Sequence, residues 1–388
     1  MQQNPNAGQP AISSSDKMSL GAKKMRAFYA HTPDAPVYQE EFGFYVLDRW
    51  KAEGHISADA NHEDLVKLFG YDPPGKFSLG NLGWCEAGFF PAFEEKVLED
   101  QGEYELVQDF AGRSVKCFKG RRSGFMPEYV DHPVKDQKTW EEKCLWRMDP
   151  ASPGRQEGIA RAVEGAKKAA AEGRIICANL VGGYMYLRSL AGPVELLYLF
   201  YDNPDLIRRC MEAWFILADA VYAQMQKDIT FDEFYIGEDI CYNHGFLISQ
   251  DMIREFLFPY YRQLISNIKA RQPDKTRRLY FQLDTDGFSD PAIALYGELG
   301  LDYLSPFEAA SGCDVVRTGR EYPELLIRGG FDKRIMAEGK EAIDREVDRI
   351  MPVMKKRGGY IPCCDHGVPE EVSFENYMHY RKRMLEFA

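Results

Sequence analysis

Acidic, tyrosine and histidine side chains follow six short apolar segments in the last two-thirds of the chain. The segments are residues 175–180, 234–237, 279–283, 303–307, 325–330 and 360–364. The polar residues that follow them are Tyr184, Glu238 with Asp239, Asp284 with Asp286, Glu308, Asp332, and Asp365 with His366. Carboxyl and imidazole groups are the side chains that most often move protons in enzymes. If the six segments are neighbouring strands, the pattern predicts an active site.

Stretches with helical periodicity lie between these segments, and this alternation is typical of βα units with a parallel sheet. We expect an α/β fold, a (β/α)8 TIM barrel over residues 151–388, in which all strand C-termini meet at one mouth. Residues 104–110 and 114–118 alternate like a hairpin. Residues 18–150 are therefore predicted to form a helical and β-hairpin extension that packs on the barrel. Residues 1–17 are rich in Gln, Asn, Ser and Pro and are predicted to be a disordered tail, so one structural domain is expected overall.

The overall composition excludes several classes of protein. A net charge of −12, without a stripe of Lys and Arg, argues against a nucleic-acid binder. No apolar run reaches the roughly 18 residues that a membrane span needs. Nine cysteines without regular spacing indicate reduced thiols, and we expect a cytoplasmic protein. Aromatic residues make up 13% of the chain, which leaves a non-catalytic binding module as a third option.

Several motifs, in this order and spacing, resemble the uroporphyrinogen decarboxylase superfamily, which has a (β/α)8 barrel fold. They are Gly182-Gly183-Tyr184, Leu187 to Gly192, Gly237-Glu238-Asp239, Asp284-Thr285-Asp286-Gly287, Gly297 to Asp302, Gly329 to Lys333, and Cys364-Asp365-His366-Gly367. The resemblance covers roughly residues 150–388. Because dimers occur in this superfamily, the resemblance allows a homodimer.

The resemblance implies one of two chemistries. True decarboxylases of the superfamily carry an Arg-Gln-Ala-Gly-Arg-Tyr-like segment near the N-terminus, whose arginines hold a substrate with eight carboxylates. Residues 1–53 contain no such segment and offer only Arg26 and Arg49. Since many carboxylates need many guanidinium groups, decarboxylation of a porphyrinogen is the alternative and not the first choice.

The second branch transfers methyl groups to or from a corrinoid protein. Its coenzyme-M-type members bind zinc through His-x-Cys and a distant Cys, and these positions correspond here to Asp284, Asp286 and His366. This departure disfavours a thiol acceptor and implies a mixed oxygen and nitrogen site suited to zinc. The chain is more similar to relatives that take a methyl group from an ether or a quaternary amine. It lacks the Asp-x-His-x-x-Gly cobalamin motif, so a partner protein must supply the corrinoid.

The resulting prediction is a methyltransferase that moves a methyl group from a small molecule, an aryl methyl ether, to a partner's Co(I) corrinoid. Cleavage of the ether needs a Lewis acid on the oxygen or a positioned proton donor. The predicted catalytic residues are His366, Glu238, Asp284 and Tyr184. The predicted substrate-binding residues are Tyr184, Tyr186, Tyr242, Phe288 and Glu308. A tetrahydrofolate-linked methyltransferase is a second alternative, and turn capping is the structural alternative for Asp284 and Asp286.

Overall fold

The computed structural model describes residues 18–80, 82–120 and 127–388, so the predicted tail, residues 1–17, lies outside the described residues. The strands are β1 (Lys76–Leu79), β2 (Lys96–Gln101), β3 (Tyr104–Gln108), β4 (Ser114–Phe118), β5 (Glu128–Asp131), β6 (Ile175–Val181), β7 (Glu233–Gly237), β8 (Cys241–Tyr242), β9 (Gly245–Phe246), β10 (Tyr280–Asp284), β11 (Tyr303–Ser305), β12 (Leu326–Arg328) and β13 (Tyr360–Ile361). The helices are α1 (Leu20–Tyr29), α2 (Leu47–Ala52), α3 (His62–Phe69), α4 (Gln137–Thr139), α5 (Pro153–Ala171), α6 (Gly183–Ala191), α7 (Glu195–Asp202), α8 (Pro204–Met225), α9 (Gln250–Phe256), α10 (Phe258–Arg271), α11 (Asp290–Gly297), α12 (Val315–Glu321), α13 (Ile335–Glu338), α14 (Lys340–Arg357) and α15 (Phe374–Leu385).

Seven parallel strands form one curled sheet in the order β1-β6-β7-β10-β11-β12-β13, with helices packed outside it. This confirms the predicted fold class, a TIM-barrel-like α/β fold, and each of the six predicted strand segments contributes a strand. The seventh strand, β1, comes from the part of the chain where the sequence predicted only an extension. Its four residues follow Pro73-Pro74-Gly75 and are too few to show a strand pattern.

Local sequence explains where the barrel elements begin. Asn203 caps α8, because its side chain accepts from the Leu206 amide at 3.3 Å and Pro204 occupies the first turn. Ser249 caps α9 in the same way through the Met252 amide at 3.1 Å. The strands β6 and β7 are buried on both faces, as expected for parallel strands covered by helices.

The chain before β1 packs against the barrel at two places. Helix α1 packs Met25, Phe28 and Tyr29 under the N-terminal ends of the strands, against a cluster that includes Tyr303 and Ile361. Residues 39–45 run beside the β13 edge, where the Glu41 carboxylate accepts from the Cys364 amide at 2.8 Å. Phe44 also forms an isolated parallel β-bridge with Val368.

Between β1 and α5 the chain forms a separate antiparallel sheet in the order β2-β3-β4-β5, at the position of the predicted hairpin. In β3, buried and half-buried side chains alternate, which matches the period-two pattern of the sequence. Among the described residues, no helix has the length and apolar character of a membrane span.

Candidate active site

A cavity of about 420 Å³ lies at the C-terminal ends of the barrel strands, and we call it the mouth cavity. Its acidic, basic and histidine lining residues are Glu86, Arg113, His132, Arg188, Asp239, Asp284, Asp286 and His366. Its aromatic lining residues are Phe42, Trp84, Tyr129 and Tyr235. The three residues that the sequence placed together, Asp284, Asp286 and His366, therefore share one cavity.

Asp286 and His366 form a direct pair, with 3.0 Å between Oδ1 of Asp286 and Nε2 of His366. Asp286 lies in the turn after β10, and His366 follows β13. Burial disfavours the charged imidazole, but the hydrogen bond and the negative charge of Asp286 outweigh it, so the pKa of His366 is raised. The Nδ1 atom of His366 is buried and has no hydrogen-bond partner among the described residues. This histidine can therefore hold a proton at Nδ1 that is not committed to a protein acceptor.

Asp284 ends β10 and lies opposite Ser305 of β11 in the parallel register, and the Ser305 hydroxyl donates to its carboxylate. Burial raises the pKa of Asp284 to about 6, the charges of Asp286 and Asp239 add to this, and the Ser305 hydrogen bond opposes it. Asp239 pairs with Arg188 of α6, with 2.5 Å between Oδ2 and Nη1. Asp239, Asp284 and Asp286 thus lie in the mouth cavity together with Arg188 and His366.

The predicted zinc site needs three ligand side chains that converge on one point. Within residues 18–80, 82–120 and 127–388, no group of three or more His, Cys, Asp or Glu side chains is arranged to hold a metal ion. His366 is paired with Asp286, and Asp284 is hydrogen-bonded to Ser305. Zinc binding stays a prediction, and this geometry does not support it.

Glu238, a predicted catalytic residue, is fully buried and is not among the residues that line the mouth cavity. Its carboxylate accepts from the Tyr184 amide at 3.1 Å and from the Tyr261 hydroxyl. A Cβ atom at Gly182 would lie 2.0 Å from its Oε2, which explains the glycine before α6. Burial raises the pKa of Glu238 to about 7, against the hydrogen bonds that favour its charge. The Glu238 carboxylate thus lies at the N-terminus of α6, where the helix dipole favours a negative charge.

Tyr184 and Tyr186 lie on α6, but neither lines the mouth cavity. The helix presents Met185, Arg188 and Ser189 to that cavity, which is the i, i+3, i+4 spacing of one helix face. Tyr184 is buried, and burial raises its pKa to about 12. The Tyr186 hydroxyl donates to the Cys210 carbonyl at 3.1 Å and so faces α8.

The remaining predicted substrate-binding residues also lie outside the lining of the mouth cavity. Tyr242 is half exposed in the β8–β9 hairpin, and Phe288 packs partly buried against the core. Glu308 accepts from the Gly287 amide at 2.9 Å and thereby holds the turn that carries Asp286. Glu308 therefore supports the position of the aspartate; no contact shows a direct role.

The sequence did not single out Trp84, Tyr235 or Arg188, which all line the mouth cavity. Trp84 stacks on Tyr235 with 5.5 Å between ring centroids and 4° between planes, and it is half exposed at the rim. The Tyr235 hydroxyl is buried without a hydrogen-bond partner among the described residues. Strand alternation was a usable signal here, because Tyr235 and Gly237 must face the same side of β7.

Two curated relatives match parts of the chain. A uroporphyrinogen decarboxylase from Hydrogenobaculum sp. (strain Y04AAS1) is 24% identical over 36% of this chain and 38% of its own length. A uroporphyrinogen decarboxylase from Campylobacter fetus subsp. fetus (strain 82-40) is 24% identical over 48% of this chain and 50% of its own length. The chain thus spans half or less of the length of the curated relatives it matches.

A solved methyltransferase from Methanosarcina mazei has a similar fold, with a TM-score of 0.56 and 14% identity. The match covers 95% of this chain and 99% of that one, so it includes the region before the barrel helices. The model of the uroporphyrinogen decarboxylase (URO-D) family matches residues 123–386, more than half of the chain. On this match, together with the barrel and its mouth, the chain belongs to the uroporphyrinogen decarboxylase family.

Proposed function

We propose that the protein moves a methyl group from a small aryl methyl ether to the Co(I) corrinoid of a partner protein. The observation that carries the proposal is the Asp286–His366 pair in the mouth cavity, since it places a held imidazole with a raised pKa beside aromatic walls. The corrinoid is the methyl acceptor and supplies a strong nucleophile. The protein must then stabilise the oxygen that leaves as the C–O bond breaks.

The ether binds in the mouth cavity with its ring against Trp84 and Tyr235. The His366 side chain gives a proton to the departing oxygen, so that a neutral phenol leaves and the methyl carbon goes to the acceptor. Asp286 favours the charged form of the imidazole and fixes its ring by accepting from Nε2. Trp84, half exposed at the rim, lies on the open side from which a partner protein has to approach.

Decarboxylation of a porphyrinogen is the second candidate, and the names of the two curated relatives favour it. The mouth cavity disfavours a porphyrinogen substrate, because four carboxylates line it: Glu86, Asp239, Asp284 and Asp286. Its two arginines are already paired, Arg188 with Asp239 and Arg113 with Asp109 and Glu86. A substrate with many carboxylates would meet repulsion at this mouth.

The test is to mix the purified protein with a corrinoid protein reduced to Co(I), or with free cob(I)alamin, and a set of methoxybenzenes. We expect the absorbance of methylated cobalt to appear together with one equivalent of the phenol. Release of carbon dioxide from uroporphyrinogen, without methyl transfer, would assign the second candidate function instead.

The pH profile should depend on Asp286. The reaction needs protonated His366, so the rate falls as pH rises through the raised pKa of His366. Asp286→Asn removes the charge that raises this pKa, so the fall should begin at a lower pH than in the wild type. Because Asp286 is half exposed, this variant should fold normally. Two superimposable profiles from pH 5 to pH 9 would show that Asp286 does not tune the proton donor.

A further inference from the structure

A second cavity, of about 780 Å³, lies inside the barrel below the mouth, and we call it the inner cavity. Its lining includes residues from the inner face of the barrel strands, residues 39–44, and His62 and Leu65 of α3. It shares four lining residues with the mouth cavity: Phe42, Trp84, Tyr235 and Asp284. A ligand can therefore extend from one cavity into the other.

The interior of this barrel is charged, whereas branched apolar side chains usually fill a TIM barrel. Lys76 of β1 pairs with Glu233 of β7 and donates to Gln282 of β10 at 3.2 Å. Arg328 of β12 lines the same cavity. Both cations have a carboxylate partner, Glu233 for Lys76 and Glu40 for Arg328, and buried ion pairs of this kind add little net stability.

The guanidinium group of Arg328 has nitrogens that are available to a ligand. Its Nε donates to Oε1 of Glu40 at 2.5 Å, and its guanidinium carbon lies 4.8 Å from the centre of the Phe42 ring. Its two terminal nitrogens have no hydrogen-bond partner among the described residues, although the side chain is only 21% exposed. A guanidinium with both terminal amino groups free matches the two oxygens of a carboxylate.

Phe42 contacts both this arginine and the proton donor. Its ring centre lies 4.8 Å from the guanidinium carbon of Arg328 and 5.7 Å from the ring centre of His366. At the same junction the Tyr235 side chain is 6% exposed and its hydroxyl has no partner among the described residues. Asp239, Asp284 and Asp286 line the mouth cavity, and the inner cavity is lined by Glu40, Glu41, Asp72 and Asp284 as well as by Lys76 and Arg328. Glu40 pairs with Arg328 and Asp72 pairs with Lys24, so the terminal nitrogens of Arg328 are the groups that would hold an anion there. An elongated ligand would thus bind with its anionic end inward.

We propose that the substrate is a small molecule with a carboxylate, which Arg328 binds in the inner cavity while the methyl-bearing end lies beside His366. This inference rests on the proposed methyl transfer for the role of the outer end. Arg328 then determines which methylated molecules enter, and it does not take part in the chemistry.

The test is calorimetric binding of 4-methoxybenzoate and of its neutral analogue 4-methoxybenzamide to the full chain, without any corrinoid. A charge-assisted pair of hydrogen bonds should make the wild type bind the acid about tenfold or more tightly than the amide. Arg328→Gln should remove this preference and leave amide binding unchanged, which also shows that the variant is folded. Arg328→Lys, which keeps the charge but loses the fork, should keep only part of the preference.

Two further variants complete the experiment. Glu40→Gln removes the competing carboxylate and should strengthen binding of the acid. Arg334→Gln is the matched control, because Arg334 pairs with Asp332 on the surface and should keep the wild-type preference. Equal binding of acid and amide by the wild type, or a preference that survives in Arg328→Gln, would overturn the inference. If the protein binds the acid more tightly than the amide but transfers no methyl group, the proposed function is wrong. The carboxylate site at Arg328 in the inner cavity would still be supported.

Discussion

Replacing His366 by alanine lowers the rate of methyl transfer about 100- to 10,000-fold, the range over which positioned acids contribute to catalysis. The variant lacks the imidazole that donates the proton, so the phenolate must leave as an anion. Binding of the substrate should change little, because the aromatic walls and Arg328 remain. The initial rate of methylcobalt formation measures the loss, and the thermal unfolding midpoint shows whether the fold is intact.

His379→Ala is the matched control for this variant. His379 also pairs with an aspartate, Asp344, at 2.8 Å, but the pair joins the outer helices α15 and α14 and does not line the mouth cavity. Its loss should leave the rate within about twofold of the wild type. A similar loss of rate in both variants would mean that the effect comes from general destabilisation and not from the site.

Glu238→Ala should lower the free energy of unfolding by roughly 2–4 kcal/mol, because it leaves buried donors without an acceptor. The donors are the Tyr184 amide at the start of α6 and the Tyr261 hydroxyl. Glu238→Gln keeps an acceptor oxygen and should retain most of the stability and the activity. Urea denaturation at pH 7 measures the first effect, and methyl-transfer rates measure the second.

The same pair of variants decides between two roles for Glu238. The sequence predicted a catalytic role, whereas the contacts place the residue under the N-terminus of the helix that carries Arg188. A Glu238→Gln protein with native stability and a 100-fold lower rate would favour catalysis. Loss of stability in the alanine variant alone would favour support of the helix.

The convergence of Asp284, Asp286 and His366 could be predicted because parallel strands deliver their C-terminal residues to one edge, however far apart they lie in the chain. The (β/α) alternation is a local pattern, and so the strand segments and the fold class could be predicted from it as well. The structure adds the pairing itself, in which Asp286 contacts His366 directly and Asp284 contacts Ser305.

Other features depend on contacts that no local pattern contains. Tyr184 and Tyr186 follow a strand end, but the orientation of α6 about its own axis decides which of its side chains face the mouth cavity. Met185 lines that cavity, and the two tyrosines do not. The inner cavity depends on Arg328 and on Glu40, which is 288 positions away in the chain. Strand β1 is short, and only its pairing with β6 identifies it as part of the barrel.

The most direct measurement is the dependence of the rate on the leaving group, in methoxybenzenes whose phenols differ in pKa. If His366 protonates the departing oxygen, the wild-type rate changes little across the series, while the rate of His366→Ala falls steeply as the phenol becomes less acidic. An equally steep dependence in both proteins would contradict proton donation by His366.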